Sequence, residues 1–412
     1  MRKLKNAVLL LLYTTILGGI VGAIIWAFLR LMNIGINFVW KYIPGKFDIP
    51  FYTIIICVVG SILIGFWRKK FGDYPEELHT VLTKVKKDGG YQYNNIFSTL
   101  GSALFPLILG ASVGPEAGLS GVIAGLCTWI GDKLKKYIHT VEELNMIGIS
   151  ATLGTIFKSP MFGFVEPLED EKRTVIPKTP KVILYLVAAF SSFGAFVLLG
   201  KYLGSGSGIY SFAFEKLKLM DLVYIIPLCL VGIIAGLLYM ASHKLAKMIA
   251  GKFEKYVVSR CVVGGVILGV MGTLLPLTMF SGEHQMEVVA KKGAEIGIAM
   301  LIVVAVLKII LTTICIEAGL KGGHFFPIIF AGICFGYAFG VAFGVDVVFA
   351  MAVVTTCLVG YTLKKPLATV LLLMIVFPWQ YLLIMIAAAL LVRIIPAPKT
   401  FIKQNNEEDK NE

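Results

Sequence analysis

Long runs of apolar residues separated by short charged stretches set the pattern of this chain. Residues 7–29 carry no charge and follow Met-Arg-Lys-Leu-Lys-Asn. A helix of that length, rising 1.5 Å per residue, crosses the apolar core of a bilayer. The run is too long for the apolar part of a signal peptide and no clear small-x-small cleavage site follows, so it predicts a first transmembrane helix that is retained. Trp40-Lys-Tyr-Ile-Pro-Gly-Lys46 is the aromatic and basic kind of connection that sits at a membrane interface. A second run, 51–67, is just long enough to span. Residues 68–94 are charged and carry the turn Gly72-Asp-Tyr-Pro-Glu76 before a short amphipathic helix through Lys86. Residues 96–109, interrupted by Gly101 and Pro106, lead into Gly110-Ala-Ser-Val-Gly-Pro-Glu-Ala-Gly-Leu-Ser-Gly121, and 122–130 continue the helix that this stretch opens. After a charged segment at 133–144 come 146–157, Lys158-Ser-Pro160 and a last segment ending in Glu166-Pro-Leu-Glu-Asp-Glu171.

A second set of runs follows at 182–200, 222–241, 257–280 and 296–316, then an interrupted region, Glu317-Ala-Gly-Leu-Lys-Gly-Gly-His-Phe-Phe-Pro327, then runs at 328–343, 345–363 and 366–395. The two sets repeat. Gly154-Thr-Ile-Phe-Lys-Ser-Pro160 returns as Gly360-Tyr-Thr-Leu-Lys-Lys-Pro366, 206 residues later, and Gly110-Ala-Ser-Val-Gly114 lies opposite Gly319-Leu-Lys-Gly-Gly323, 209 residues later. The pattern predicts an all-α polytopic membrane protein of two structurally related repeats built from tilted and discontinuous helices. An odd number of crossings in the first half would invert them. The expected organisation is a cytoplasmic N-terminus (1–6), a first repeat (7–173), a linker (174–181), a second repeat (182–395) and a disordered cytoplasmic tail (396–412). Paired interrupted segments at matching places in two repeats point to a transport site where the repeats meet.

Composition agrees: the 412 residues are 57% hydrophobic and only 15% charged, with a mean hydropathy of +0.84. The net charge of +13 falls mostly between apolar runs, where it sets orientation and meets lipid headgroups; nucleic acid is not an expected partner. The seven cysteines stand apart from one another in apolar spans, without metal-site spacing. No metal or cofactor is expected.

Glu116 is the residue that carries chemistry. No Lys or Arg stands between Gln92 and Lys133, and an ionisable group inside the membrane is costly enough to mark a functional site by default. Pro115 suits the first turn of a helix, so a helix N-terminus lies at the carboxylate, where unpaired N–H groups favour an anion. Two readings follow: an anion pathway in which Glu116 is a tethered competitor, or a carboxylate capping a helix at the headgroups. Lys158 and Lys364 either draw anions to the path or reach toward an interface. Lys308 and Glu317 are nine apart, too far to pair along one helix. An intramembrane enzyme would rest on Ser281-Gly-Glu-His-Gln285, with Glu283, His284 and His324 as its groups, but neither HExxH nor Gly-x-Ser-x-Gly occurs. A purely structural or regulatory role leaves the duplicated interrupted helices without explanation.

With Glu116 in a Gly-Pro-Glu-Ala helix start and Gly322-Gly-His-Phe-Phe-Pro327 in the second half, the chain resembles the CLC family of chloride channels and chloride/proton antiporters over roughly residues 7–395, in a minimal form without CBS domains. The resemblance implies a homodimer in the cell membrane, not an enzyme, that either exchanges chloride or a related monovalent anion for protons or is a passive channel for chloride or another halide. It implies that Glu116 is gate and proton carrier, although Pro115 and Ala117-Gly118 depart from the family's Gly-Lys/Arg-Glu-Gly-Pro. The anion contacts it implies are Gly114, Glu116 and Ala117 in the first half and Gly323, with the amides of His324 and Phe325, in the second. The family's serine turn is replaced: Gly72 takes the serine place, beside Asp73, and Gly204-Ser-Gly-Ser-Gly-Ile-Tyr210 stands in the other half as a flexible turn. The coordinating tyrosine falls at Gln380 or Tyr381. The internal proton site falls at Asp170, with Glu169 and Glu166 adjacent; the same acidic cluster reads equally as a solvated helix end.

Overall fold

The computed structural model describes residues 2–72, 74–91, 96–133, 141–169, 179–204, 209–214 and 218–395. Asp73, Asp170, residues 174–178 of the expected linker and the tail at 396–412 lie outside the described residues. The first half runs α1 (Arg2–Asn37), a short π-helical turn (Phe38–Tyr42), α2 (Ile43–Lys46), α3 (Tyr52–Phe71), α4 (Leu78–Asp88), α5 (Ile96–Ile108), α6 (Glu116–Lys133), α7 (Val141–Ile156) and α8 (Pro160–Glu169). The second runs α9 (Thr179–Leu203), α10 (Ile225–Lys252), α11 (Val257–Leu274), α12 (Glu283–Ile296), α13 (Ile298–Ala318), α14 (Phe325–Phe343), α15 (Val347–Leu363), α16 (Pro366–Leu373) and α17 (Leu382–Ile394). Six helical stretches among the described residues are long and apolar enough to cross a bilayer.

Several boundaries differ from the sequence pattern. Residues 40–46 are helical and prolong α1 instead of forming a separate connection. Pro106 sits inside α5, three residues before its last turn closes, where a missing N–H costs one ladder bond without ending the helix. The run 366–395 is two helices, because Pro378 lacks a donor and biases Phe377 toward extended backbone. Ser281–Gln285 is the start of α12, with Gly282 before it in the left-handed region.

The repeat extends to the backbone. Gly110 and Gly319 have φ of 78° and 107°, and Lys158 and Lys364 have φ of 48° and 57°. Each lysine therefore makes the same left-handed turn two residues before the proline that opens α8 or α16. The halves also interlock: α1 packs along α9, α3 along α11 and α8 against α16. α14 and α15 are apolar on all sides because they are enclosed on all sides.

Lys308 illustrates how a charge is accommodated here. It is fully buried in α13, and its ammonium donates to the carbonyls of Thr278 at 3.1 Å, Met279 at 3.1 Å and Phe280 at 2.5 Å. An ammonium has three donors, so this geometry uses all of them and fixes the chain between α11 and α12. Lys308→Met leaves the three carbonyls without this donor and is expected to lower stability by ~2–4 kcal/mol, measured as an earlier thermal transition in detergent.

Candidate anion site

The two interrupted segments meet backbone to backbone. Gly114 N–H donates to the Gly323 carbonyl at 2.7 Å, and Gly323 N–H donates to the Gly114 carbonyl at 2.7 Å, an isolated antiparallel bridge. Nearby, the hydroxyls of Ser112 and Thr312 are 3.0 Å apart. This clasp brings the N-termini of α6 and α14 together at one point.

Glu116, the first residue of α6, turns its carboxylate across the clasp. Its Oε1 accepts the Phe325 N–H at 2.8 Å, and the N–H groups of Phe326 and of Glu116 itself also act on it. The side chain is completely buried, and Oε2 has no hydrogen-bond partner. A charge-assisted bond of this kind contributes ~1.5–3 kcal/mol. Each helix terminus adds a partial positive charge of about half a unit. First-half carboxylate and second-half amide thus meet where the two interrupted segments join. His324 is the residue before the helix, with φ −107° and ψ −10°, while Phe325 is the one whose amide holds the carboxylate.

Gly114 and Gly323 are required by close approach. A Cβ on Gly114 would lie 2.1 Å from Glu116 Oε2, and one on Gly323 would lie 1.9 Å from Glu116 Cδ. Gly323→Ala is therefore expected to cost ~1–3 kcal/mol through overpacking. Glu116→Ala in the same chain should recover most of that loss, because the atoms met are those of Glu116. Strictly additive thermal unfolding of the single and double variants would exclude this packing relation. Ala117 is buried in the first turn of α6. Phe157 lines up with both Phe325 and Phe326, at ring-centroid distances of 5.7 and 5.1 Å, so the loop before α8 braces the amides.

A cavity of about 250 Å³ approaches the clasp between the end of α1 and the start of α12, lined by Trp40, Lys41, Val113, Pro115, Glu283 and His284, among others. Glu283 is buried and accepts from the Ser281 hydroxyl at 3.2 Å. The Ser281–Gln285 motif thus belongs to the wall of a cavity that reaches Val113 and Pro115 on either side of Gly114. Its position was not legible from spacing, since nothing local ties residues 280–285 to residues 113–115.

Gly72 ends α3 with φ 100°. Tyr381 is fully buried and its hydroxyl donates to Asp346 Oδ1 at 2.8 Å, while Asp346 caps α15 by accepting the Phe349 N–H at 2.6 Å. Gln380 is exposed. Glu166 pairs with Lys365 at 2.6 Å, both buried, and Glu169 caps α16 by accepting the N–H groups of Leu367 at 3.1 Å and Ala368 at 2.8 Å. Lys364 lies over the Tyr361 ring at 3.7 Å and donates to the Ile395 carbonyl at 3.1 Å.

Comparison with known proteins gives a consistent result. The family described as voltage gated chloride channel matches residues 55–396. Among curated proteins, the "Putative ion-transport protein YfeO" of Escherichia coli O17:K52:H18 is 24% identical over 311 residues, 72% of this chain and 71% of its own length. Its namesake in Salmonella paratyphi A is 23% identical over 352 residues, 80% and 79% of the two chains. Among solved structures, a CLC-type fluoride/proton antiporter superposes with a TM-score of 0.75 at 19% identity, covering 94% of this chain and 95% of its own. A slow cyanobacterial Cl-/H+ antiporter superposes with a TM-score of 0.76 at 18% identity, covering 96% and 99%. Such identities show a shared fold.

Proposed function

Since the chain belongs to the voltage-gated chloride channel family, and is a multi-pass integral membrane protein that moves anions, we propose that it exchanges chloride or a related monovalent anion for protons, with Glu116 as gate and proton carrier. The observation that carries this reading is the buried Glu116 carboxylate seated on the Phe325 amide. A free anion needs that same amide. Ionised, Glu116 competes for it; protonated, it loses the charge that holds it there, and the place opens. Helix termini and amides bind through partial charges, which hold an anion without trapping it as a fixed lysine or arginine would. The similarity to proteins described as chloride/proton and fluoride/proton antiporters supports coupling to protons and leaves chloride and fluoride as the first anions to compare.

The resemblance further supports a homodimer in the cell membrane with both termini cytoplasmic. Glu116 as a mere headgroup cap is disfavoured by its complete burial. The test is simultaneous anion and proton flux from liposomes holding the purified protein under a chloride gradient. Uphill proton movement driven by chloride is expected. Anion flux with no proton movement would make the protein a passive channel and reject the antiport reading.

A further inference from the structure

A second constellation of side chains lies beside the helix start that meets Glu116. Tyr239 and His243, one turn apart on α10, stack in line with His324: the Tyr239 ring centroid is 5.9 Å from that of His243 and 5.5 Å from that of His324. His324 in turn stacks on Phe325 at 4.6 Å, and Phe325 is the residue whose amide holds Glu116. At the far end of this row, His243 Nε2 lies 3.8 Å from Glu317 Oε1, and Glu77, immediately before α4, brings a carboxylate oxygen within 4.8 Å of both.

We propose that protons reach Glu116 along the row His243–Tyr239–His324, loaded by the carboxylates of Glu77 and Glu317, and not through Glu166 and Glu169. This rests on the antiport reading given above. Three observations favour the row. The two nitrogens of His243 are differently placed: Nε2 faces Glu317, whereas Nδ1 is buried without a hydrogen-bond partner. An imidazole so placed takes a proton on one nitrogen and releases one from the other. At the receiving end, Glu116 Oε2 is likewise buried without a partner, so a proton has an atom to land on while Oε1 stays on the amide. Meanwhile Glu166 Oε1 is paired with Lys365, and both oxygens of Glu169 are taken by the α16 N-terminus.

The charge around the row suits a proton path better than a cation site. Lys321 and Lys247 act on Glu77, and Arg68 and Arg260 act on Lys321. Four cations on α3, α10, α11 and the loop before α14 thus surround two carboxylates and two imidazoles. Such a surplus discourages a metal ion and draws anions, while a proton moving between neighbouring acids and bases leaves the count unchanged. Each transfer balances: a carboxylic acid protonates His243 on one nitrogen, the other nitrogen releases its proton to the Tyr239 hydroxyl, that hydroxyl passes its own proton to His324, and His324 releases one from its other nitrogen to the Glu116 carboxylate. A water can carry a relay step that is longer than one hydrogen bond.

The experiment is paired anion and proton flux in liposomes for the wild type, His243→Gln and Tyr239→Phe. The expected result is that His243→Gln lowers proton flux by at least ~10-fold while anion flux stays within about twofold. Tyr239→Phe, which keeps the ring stack, separates the hydroxyl from packing. It should also lower proton flux and spare anion flux. A wild type that moves anions without protons would remove the antiport reading and this path with it. A coupled wild type whose coupling survives in His243→Gln would overturn the path alone. Parallel loss of both fluxes in His243→Gln and Tyr239→Phe would assign the row to packing and overturn it too.

Discussion

Glu116→Gln is expected to abolish proton transport, by ~10²-fold or more, while anions continue to pass at a rate that no longer depends on pH. The amide side chain keeps the shape of the carboxylate and can still accept from Phe325, so the clasp and its glycines are undisturbed. What is lost is the charge and the site for a proton. In the wild type the sign follows from competition: as pH falls, Glu116 is protonated, its charge-assisted bond weakens, and the amide becomes free for an anion. Wild-type anion flux should therefore rise toward acid, and that of the variant should be flat. Proton flux that persists in Glu116→Gln would place the carrier elsewhere.

The second large effect is on stability. Lys365 and Glu166 form a buried pair at 2.6 Å across the contact between α8 and α16. Removing one partner leaves the other charge buried and uncompensated, at ~3–5 kcal/mol. Lys365→Ala or Glu166→Ala should thus shorten the half-life of the protein in detergent at raised temperature. Replacing both residues together with apolar ones of similar volume should restore most of the loss, since a buried pair gains little over good packing. If both single variants unfold like the wild type, the pair is not the brace the geometry makes it.

The repeat was legible because two short blocks kept their spacing, and the structure shows why they had to. Gly110 and Gly319 share a left-handed backbone, as do Lys158 and Lys364, so each block encodes a turn. Glu116 was legible because a lone carboxylate after Gly-Pro in an apolar run has few structural uses. The amide that meets it carries no side-chain signature, which is why His324 and Phe325 could be named from the resemblance and only the structure singles out Phe325. The cavity and the His243 row were not legible at all: residues 36, 113 and 284, or 77, 243 and 317, are joined only by packing of distant helices. Glu166 and Glu169 read as candidates from the acidic cluster alone, and the partners they have, Lys365 and the N-terminus of α16, are supplied by a segment about 200 residues away.

The reciprocal bonds between Gly114 and Gly323 bear on what the protein can carry. Sliding one repeat past the other would break both of these buried bonds at once, whereas rotating one side chain breaks neither. If transport proceeds as proposed, the aperture that opens when Glu116 swings away is the volume of a carboxylate. A bare halide fits through such an opening with the clasp closed; a bulky polyatomic anion does not, so the joint between the repeats also acts as a gauge of cargo size.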